Sequence, residues 1–331
     1  MASKKFSSPE YAGLVSDPEN LRFATNEQVA RYRAERLACN HLIEIGAGIG
    51  FQTIAFARTC KRVTAIELDR KRCDMLRKNL EKTGITNVRV IQGDALADEV
   101  IASIDKAEWL FCDPERLPEE KERSLDRLRP SPRQIRDAYK EAARKFCFEV
   151  PPQLQNIPKE YDREYISLHH KLNRLQLYHT PGSASKGTTG VVLLPEGEVL
   201  AEQKGKRLAE GKQAKKYLYE IDAAVEKAGL IDSLPVDAEK LDRTNRTLLT
   251  SEKRQASPFL CCYRVLKTAK DREELQKVLS RMKGDRVVIR YPIAPEQYWK
   301  ERKELESRLL PGKRTLHVFG TGQRYAITEK T

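Results

Sequence analysis

The residues best able to do chemistry lie between Glu44 and Arg116. An apolar run at 41–45 ends in Gly46-Ala47-Gly48-Ile49-Gly50. Alternating glycines let a backbone turn sharply and come close to a ligand, with a helix N-terminus behind the turn. Such a bend suits a dinucleotide or S-adenosylmethionine. Glu44, two residues before the first glycine, can meet the cationic amino group of a methionine moiety and would repel a pyrophosphate. The spacing also departs from G-x-G-x-x-G. Glu67 ends a second apolar run, where a carboxylate can accept both hydroxyls of a ribose. Each charge-assisted hydrogen bond there contributes roughly 1.5–3 kcal/mol. Asp94 ends a third run, where an adenine and its amino group would lie. With the neighbours Leu68 and Ala95, and with Asp113 further on, these residues make up the expected cofactor set.

Asp113-Pro114-Glu115-Arg116 closes a fourth run. At the carboxyl edge of an open parallel sheet, Asp113 would face the path of the transferred methyl group. Displacement at a sulfonium carbon already has a good leaving group, so most of the catalysis is positioning. A carboxylate helps further by accepting the hydrogen bond or proton of an attacking exocyclic amine. Pro114 would stiffen the loop, and Arg116 offers a fork for phosphate or base. In the plainer alternative, Asp113 caps the next turn and Arg116 pairs with an acid such as Glu119.

The elements that must hold these residues alternate. Strands are predicted at 41–45, 62–68, 88–91, 109–112 and 146–150, with helical segments at 51–58, 70–82 and 131–144 between them. In 70–82, Cys73, Leu76 and Leu80 share one helical face. Strand–helix alternation implies βαβ units and an α/β fold, a Rossmann-like, parallel, doubly wound sheet. Further strands are expected at 164–168 and 190–194. Residues 196–216 read as a basic linker, possibly helical. A smaller α+β domain follows over 217–331, with strands at 258–266 and 286–291, helices at 272–282 and 296–308, and a hairpin turned at Gly320-Thr321-Gly322. The division is then a helical extension over 1–40, a cofactor-binding domain over 41–195, the linker and the second domain.

Composition narrows the class. Lysine plus arginine number 61 against 48 acidic residues, 61 − 48 = +13, which suits a polyanionic partner such as RNA, though such a charge also serves solubility. No apolar run reaches 18 residues and no secretory leader is visible, so the chain reads as cytoplasmic, with no membrane partner. The seven cysteines include no C-x-x-C pair, and adjacent His169 and His170 would face opposite ways in a strand, so no metal is expected. Nothing fixes the oligomeric state; a monomer is the working expectation.

The motifs together resemble those of class I S-adenosylmethionine-dependent methyltransferases: Glu44 to Gly50, Ala65-Ile66-Glu67-Leu68-Asp69, Gly93-Asp94 and Asp113-Pro114. Phe23-Ala24-Thr25-Asn26-Glu27, the segment 48–57, and Gly84-Ile85 with Gly93-Asp94 resemble the trimethylguanosine synthase family, which methylates RNA guanine N2. That likeness implies Thr25 near the cofactor's carboxylate. The Pro-Pro-Trp of that family is absent, because Glu115 follows Pro114. A longer resemblance, over nearly the whole chain, is to prokaryotic methyltransferases with a C-terminal THUMP-like domain. It rests on Asp113 to Arg116, on 218–230, Thr250-Ser251-Glu252, Pro258-Phe259 and Tyr263 to Leu266. THUMP domains bind tRNA, so this likeness implies an RNA substrate. The expected activity is methylation of a base nitrogen in tRNA or rRNA. Alternatives are a small-molecule or protein methyltransferase with the second domain as a lid, and a non-catalytic RNA-binding protein that senses the cofactor.

Overall fold

The computed structural model describes residues 6, 8–115, 124–183, 187–202, 207–241, 246–321 and 324–331. The chain divides into two compact units, Met1–Val199 and Leu200–Thr331. Strands β1 (His41–Ile45), β2 (Arg62–Glu67), β3 (Val88–Gln92), β4 (Ala107–Cys112) and β5 (Ala143–Val150) are parallel. They continue into β6 (Asp162–Leu168), β7 (Lys171–His179), β8 (Thr189–Leu194) and β9 (Glu198–Ala201), in the order 3-2-1-4-5-7-6-8-9. All five residues of β1 are buried, as a central strand covered on both faces requires. The chain order reverses between β1 and β4, so the carboxyl ends of these two strands form the switch point of the sheet.

The helices are α1 (Pro9–Ala12), α2 (Pro18–Phe23), α3 (Glu27–Arg36), α4 (Phe51–Thr59), α5 (Arg70–Lys82), α6 (Asp98–Ala102) and α7 (Pro132–Ala138). In α5, Cys73, Leu76 and Leu80 are buried, and Asp69 caps the start by accepting the Arg72 N–H. α3 packs on α4 through a cluster that joins Ala30, Ala34 and Leu37 to Phe56 and Phe111. In α7, Ser131 and Gln134 close a reciprocal capping box, with Pro132 in the first turn.

Four expectations are corrected. The sheet is mixed, because β7 runs antiparallel to both β5 and β6. The helix expected over 131–144 stops at Ala138, because Ala143 already pairs with Ala107 as the first residue of β5. His169 and His170 are not in a strand. Both have positive φ and form the two-residue turn between β6 and β7, the backbone a tight hairpin demands. The stretch 196–216 also carries β9 and, further on, a strand at Ala209–Gly211, where a helical linker was considered.

The second unit holds β10 (Ala209–Gly211), β11 (Tyr217–Ile221), α8 (Ala223–Ala228), β12 (Glu239–Leu241), β13 (Leu248–Ser251), β14 (Leu260–Ala269), α9 (Arg272–Leu279), β15 (Arg286–Arg290), α10 (Tyr298–Glu306), β16 (Thr315–Thr321) and β17 (Arg324–Lys330). Its sheet order is 10-12-13-11-14-17-16-15. Leu275, Leu279 and Leu305 of α9 and α10 pack on Val287, Ile289, Leu316 and Val318. Leu218, Tyr263, Phe319 and Ala326 form another cluster with Leu241 and Leu248. The predicted hairpin is present as β16 and β17, with Gly322 of its turn outside the described residues.

Candidate functional site

The glycine bend is built as its spacing requires. Gly46, Gly48 and Gly50 have φ of 80°, 58° and 94°, all in the left-handed region. Two of them are also tight: a Cβ on Gly46 would lie 3.0 Å from the backbone oxygen of Asp113, and one on Gly50 would lie 2.4 Å from Leu76 Cδ1. Around Gly48 there is open space, with no atom within 4 Å of a built Cβ. The bend is tied to the next strand by the Gly46 and Ala47 N–H groups, which both donate to the Ile66 carbonyl at 3.0 and 3.1 Å.

The strand-end acids converge on this bend. Glu67 is buried; its Oε2 accepts the Gly48 N–H at 2.7 Å and its Oε1 accepts the Asp69 N–H at 3.0 Å. A carboxylate has about four acceptor sites, so two remain for hydroxyl donors. Glu44 is only 1% exposed, and its Oε2 has no hydrogen-bond partner. Burial lifts its pKa from the usual carboxylate range to about 8, helped by the nearby Asp113 and Glu67 carboxylates and opposed by Thr53 and Arg33. A buried carboxyl with one orphaned oxygen suits a cationic amino group, which would draw off its proton.

Leu68 is 69% exposed directly after Glu67, an apolar side chain available to a ligand's ring. Asp94 is exposed; its carboxylate accepts the Leu96 N–H at 2.9 Å, and the carbonyl of buried Ala95 accepts the Tyr139 hydroxyl at 2.8 Å. Thr25 is buried just before Asn26, which caps α3, and its neighbour Ala24 packs in the same cluster as Ala47 and Ile49 of the bend. Asp113 is exposed at the end of β4, with its N–H donating to the Ile45 carbonyl at 3.3 Å, and Pro114 is buried behind it. Arg116 lies outside the described residues.

A cavity of about 1140 Å³ opens at the same sheet edge, between the connections that leave β4 and β5. Arg133, Arg136, Gln153, Gln155, Asn156 and Tyr161 are among its lining residues. Backbone bonds between Glu115 and Arg129, at 2.8 and 3.1 Å, join the Asp113 strand end to the segment that enters α7.

Sequence reasoning missed the support beneath these acids. Arg33 of α3 is completely buried, paired with Glu149 of β5, donating to Gln52 Oε1 at 2.7 Å and lying 4.6 Å over the Phe111 ring. Burial works against its charge, and the attraction of Glu149, with Cys147 and Asp113 beyond, overcomes that and raises its pKa. The signal was available: Val29, Ala30, Arg33, Ala34 and Leu37 form one helical stripe with a single cation inside it. Also missed was Asn79 of α5, whose amide donates to the carbonyls of Val15 and Ile49 at 3.0 and 2.9 Å and accepts the Val15 N–H at 2.6 Å.

Fold and site together define an open, Rossmann-like α/β sheet with buried acids and a glycine bend at its switch point. The family model described as "Ribosomal RNA adenine dimethylase" matches residues 28–128, less than half of the chain. A "Protein-L-isoaspartate O-methyltransferase" of Magnetococcus marinus is 44% identical over 54 residues, covering 16% of this chain and 24% of that protein. A "Probable ribosomal RNA small subunit methyltransferase A" of Methanosphaera stadtmanae is 44% identical over 55 residues, covering 17% of this chain and 20% of that protein. The chain thus spans about a quarter or less of these curated relatives. A crystal structure from Porphyromonas gingivalis W83, described as a "putative methyltransferase", superposes with a TM-score of 0.80 at 16% identity and covers 98% of this chain and 86% of that one. That likeness extends the shared fold through both units.

Proposed function

We propose that this protein transfers methyl groups from S-adenosylmethionine to a base nitrogen of tRNA or rRNA. The observation that carries this reading is the exposed Asp113 carboxylate at the switch point, next to a bend whose buried acids suit a cationic nucleoside. In this reading Glu44 meets the amino group, Glu67 the ribose, Leu68 and Asp94 the adenine, and Thr25 flanks the carboxylate. The bound cofactor supplies an electrophilic methyl group on a thioether leaving group. Asp113 orients the attacking amine by accepting its hydrogen bond, and takes or relays its proton once the N–C bond forms. Arg116 is assigned the fork that meets a phosphate or base of the acceptor.

RNA is favoured as the acceptor by the net charge of +13, by the arginines and amides along the cavity between the β4 and β5 connections, and by the partial match to an rRNA dimethylase family. The target base has to leave its stack to reach Asp113. The second unit, by its resemblance to THUMP-like domains, would hold the RNA through phosphate contacts. The test is incubation with labelled S-adenosylmethionine and total cellular RNA, followed by digestion to nucleosides. Label in one methylated nucleoside is the expected result. Label only in protein or small molecules would replace RNA as the acceptor, and no cofactor binding by calorimetry would overturn the reading.

A further inference from the structure

At the opposite, amino edge of the first sheet two thiols face each other. Cys39 Sγ and Cys60 Sγ are 3.8 Å apart, Cys39 half-buried and Cys60 buried. Their approach is set by the backbone. The β1–β2 ladder pairs His41 with Arg62, so stepping back two residues on each strand sets Cys39 opposite Cys60. The chains are still joined there, with the Lys61 N–H donating to the Cys39 carbonyl at 3.2 Å and the Arg62 N–H to the Asn40 carbonyl at 2.9 Å. Neighbouring strands lie about 4.8 Å apart, inside the Cα separation of roughly 4.4–6.8 Å that a disulfide spans. Register and side-chain direction therefore agree.

We propose that Cys39 and Cys60 form a dithiol–disulfide modification site that reacts with low-molecular-weight disulfides. The two sulfurs share a hydrogen bond, which favours loss of one proton from the pair. The Cys39 thiol and the Thr59 hydroxyl pull Cys60 below the ordinary thiol range, whereas the hydrogen bond to Cys60, burial and the Glu108 carboxylate push Cys39 up. Only Cys39 is open to a reagent.

The first proton goes to water, and as the Cys39 sulfur attacks a small disulfide RSSR the proton the pair still shares passes to Cys60. The Cys39–SR bond forms and one RS⁻ leaves. Cys60 then loses its proton to water and attacks Cys39 Sγ. The protein disulfide forms and the second RS⁻ leaves, so two protein thiols are oxidised and one RSSR is reduced to two thiols. The bond would staple the segment that follows α3 to the C-terminal end of α4, whose other end starts directly after Gly50 of the glycine bend. This inference is independent of the acceptor proposed above.

The test treats the full chain with oxidised glutathione, alkylates it in denaturant and maps the peptides by mass. The seven alkylatable thiols should fall by two. A Cys39–Cys60 linked peptide should appear and vanish with dithiothreitol. Cys60→Ser should stop at a glutathione adduct on Cys39. Recovery of both cysteines in alkylated form, or a stable adduct on Cys39 of the unmodified sequence with Cys60 free, would overturn the proposal.

Discussion

The two sheets treat their buried polar groups differently. In the second unit Glu220 is occupied on both oxygens, accepting the Tyr263 hydroxyl at 2.7 Å and pairing with Arg290 at 3.5 Å. Glu301 likewise meets Arg272 and the Tyr291 hydroxyl. In the first unit Glu44 keeps an unpartnered oxygen, and Arg33 Nε is also unpartnered. Of the buried side-chain atoms without a hydrogen bond among the described residues, only Arg290 Nε and His317 Nδ1 belong to the second unit. His317 carries little penalty, because burial holds its ring neutral with a pKa of about 4. Paired groups hold a fold together; a buried polar atom left open is one a ligand can complete.

This contrast can be broken by substitution. The largest effect belongs to Asp113→Asn, which should lower methyl transfer to the proposed acceptor about 10²–10⁴-fold while calorimetry finds S-adenosylmethionine affinity nearly unchanged. Equal loss of affinity would make Asp113 a binding residue only. Arg33→Met leaves buried Glu149 with Arg174 as its remaining cationic partner and should cost up to about 3–5 kcal/mol in urea unfolding. Glu67→Gln removes charge from two backbone bonds and the expected ribose contact, so cofactor affinity should fall by about 1.5–3 kcal/mol.

The Glu44 carboxyl sharpens the contrast through pH. Its folded pKa of about 8 exceeds the unfolded carboxylate value, so the folded ligand-free protein binds the extra proton. Unfolding stability then declines as pH rises from the unfolded pKa of about 4.5 towards 8. A cationic ligand favours the ionised form, so affinity should strengthen with pH, by at most about tenfold per unit, and level off above 8. Glu44→Gln should abolish that slope in calorimetry. The smallest effect is expected in the second unit. Arg272→Met breaks a pair whose arginine is 47% exposed and should cost no more than about 1 kcal/mol.

The glycine bend and its strand-end acids were legible because their signals are local. Glycines at alternate positions and acids at strand ends declare themselves within a few residues, and α5 was readable over its full length from one apolar face. The antiparallel half of the sheet was not. Lys171–His179 alternates weakly and carries lysine, arginine and asparagine, so its pairing with β5 and β6 depends on contacts no local window contains. Arg33 escaped for the same reason, since its partner stands 116 positions away. Basic composition hid the strands within 196–216, where lysines read as solvent-facing linker although Leu200 and Leu208 are buried.

Asn79 has a consequence of its own. One amide fastens Val15, in a stretch without regular structure, to Ile49 of the bend. Latched in this way, the Val15 N–H should surrender its hydrogen to heavy water far more slowly than its neighbours, and in step with the amides of α4. The Val15 segment thereby works as a cinch around the glycine bend, so wear at either end of that single amide is felt at both.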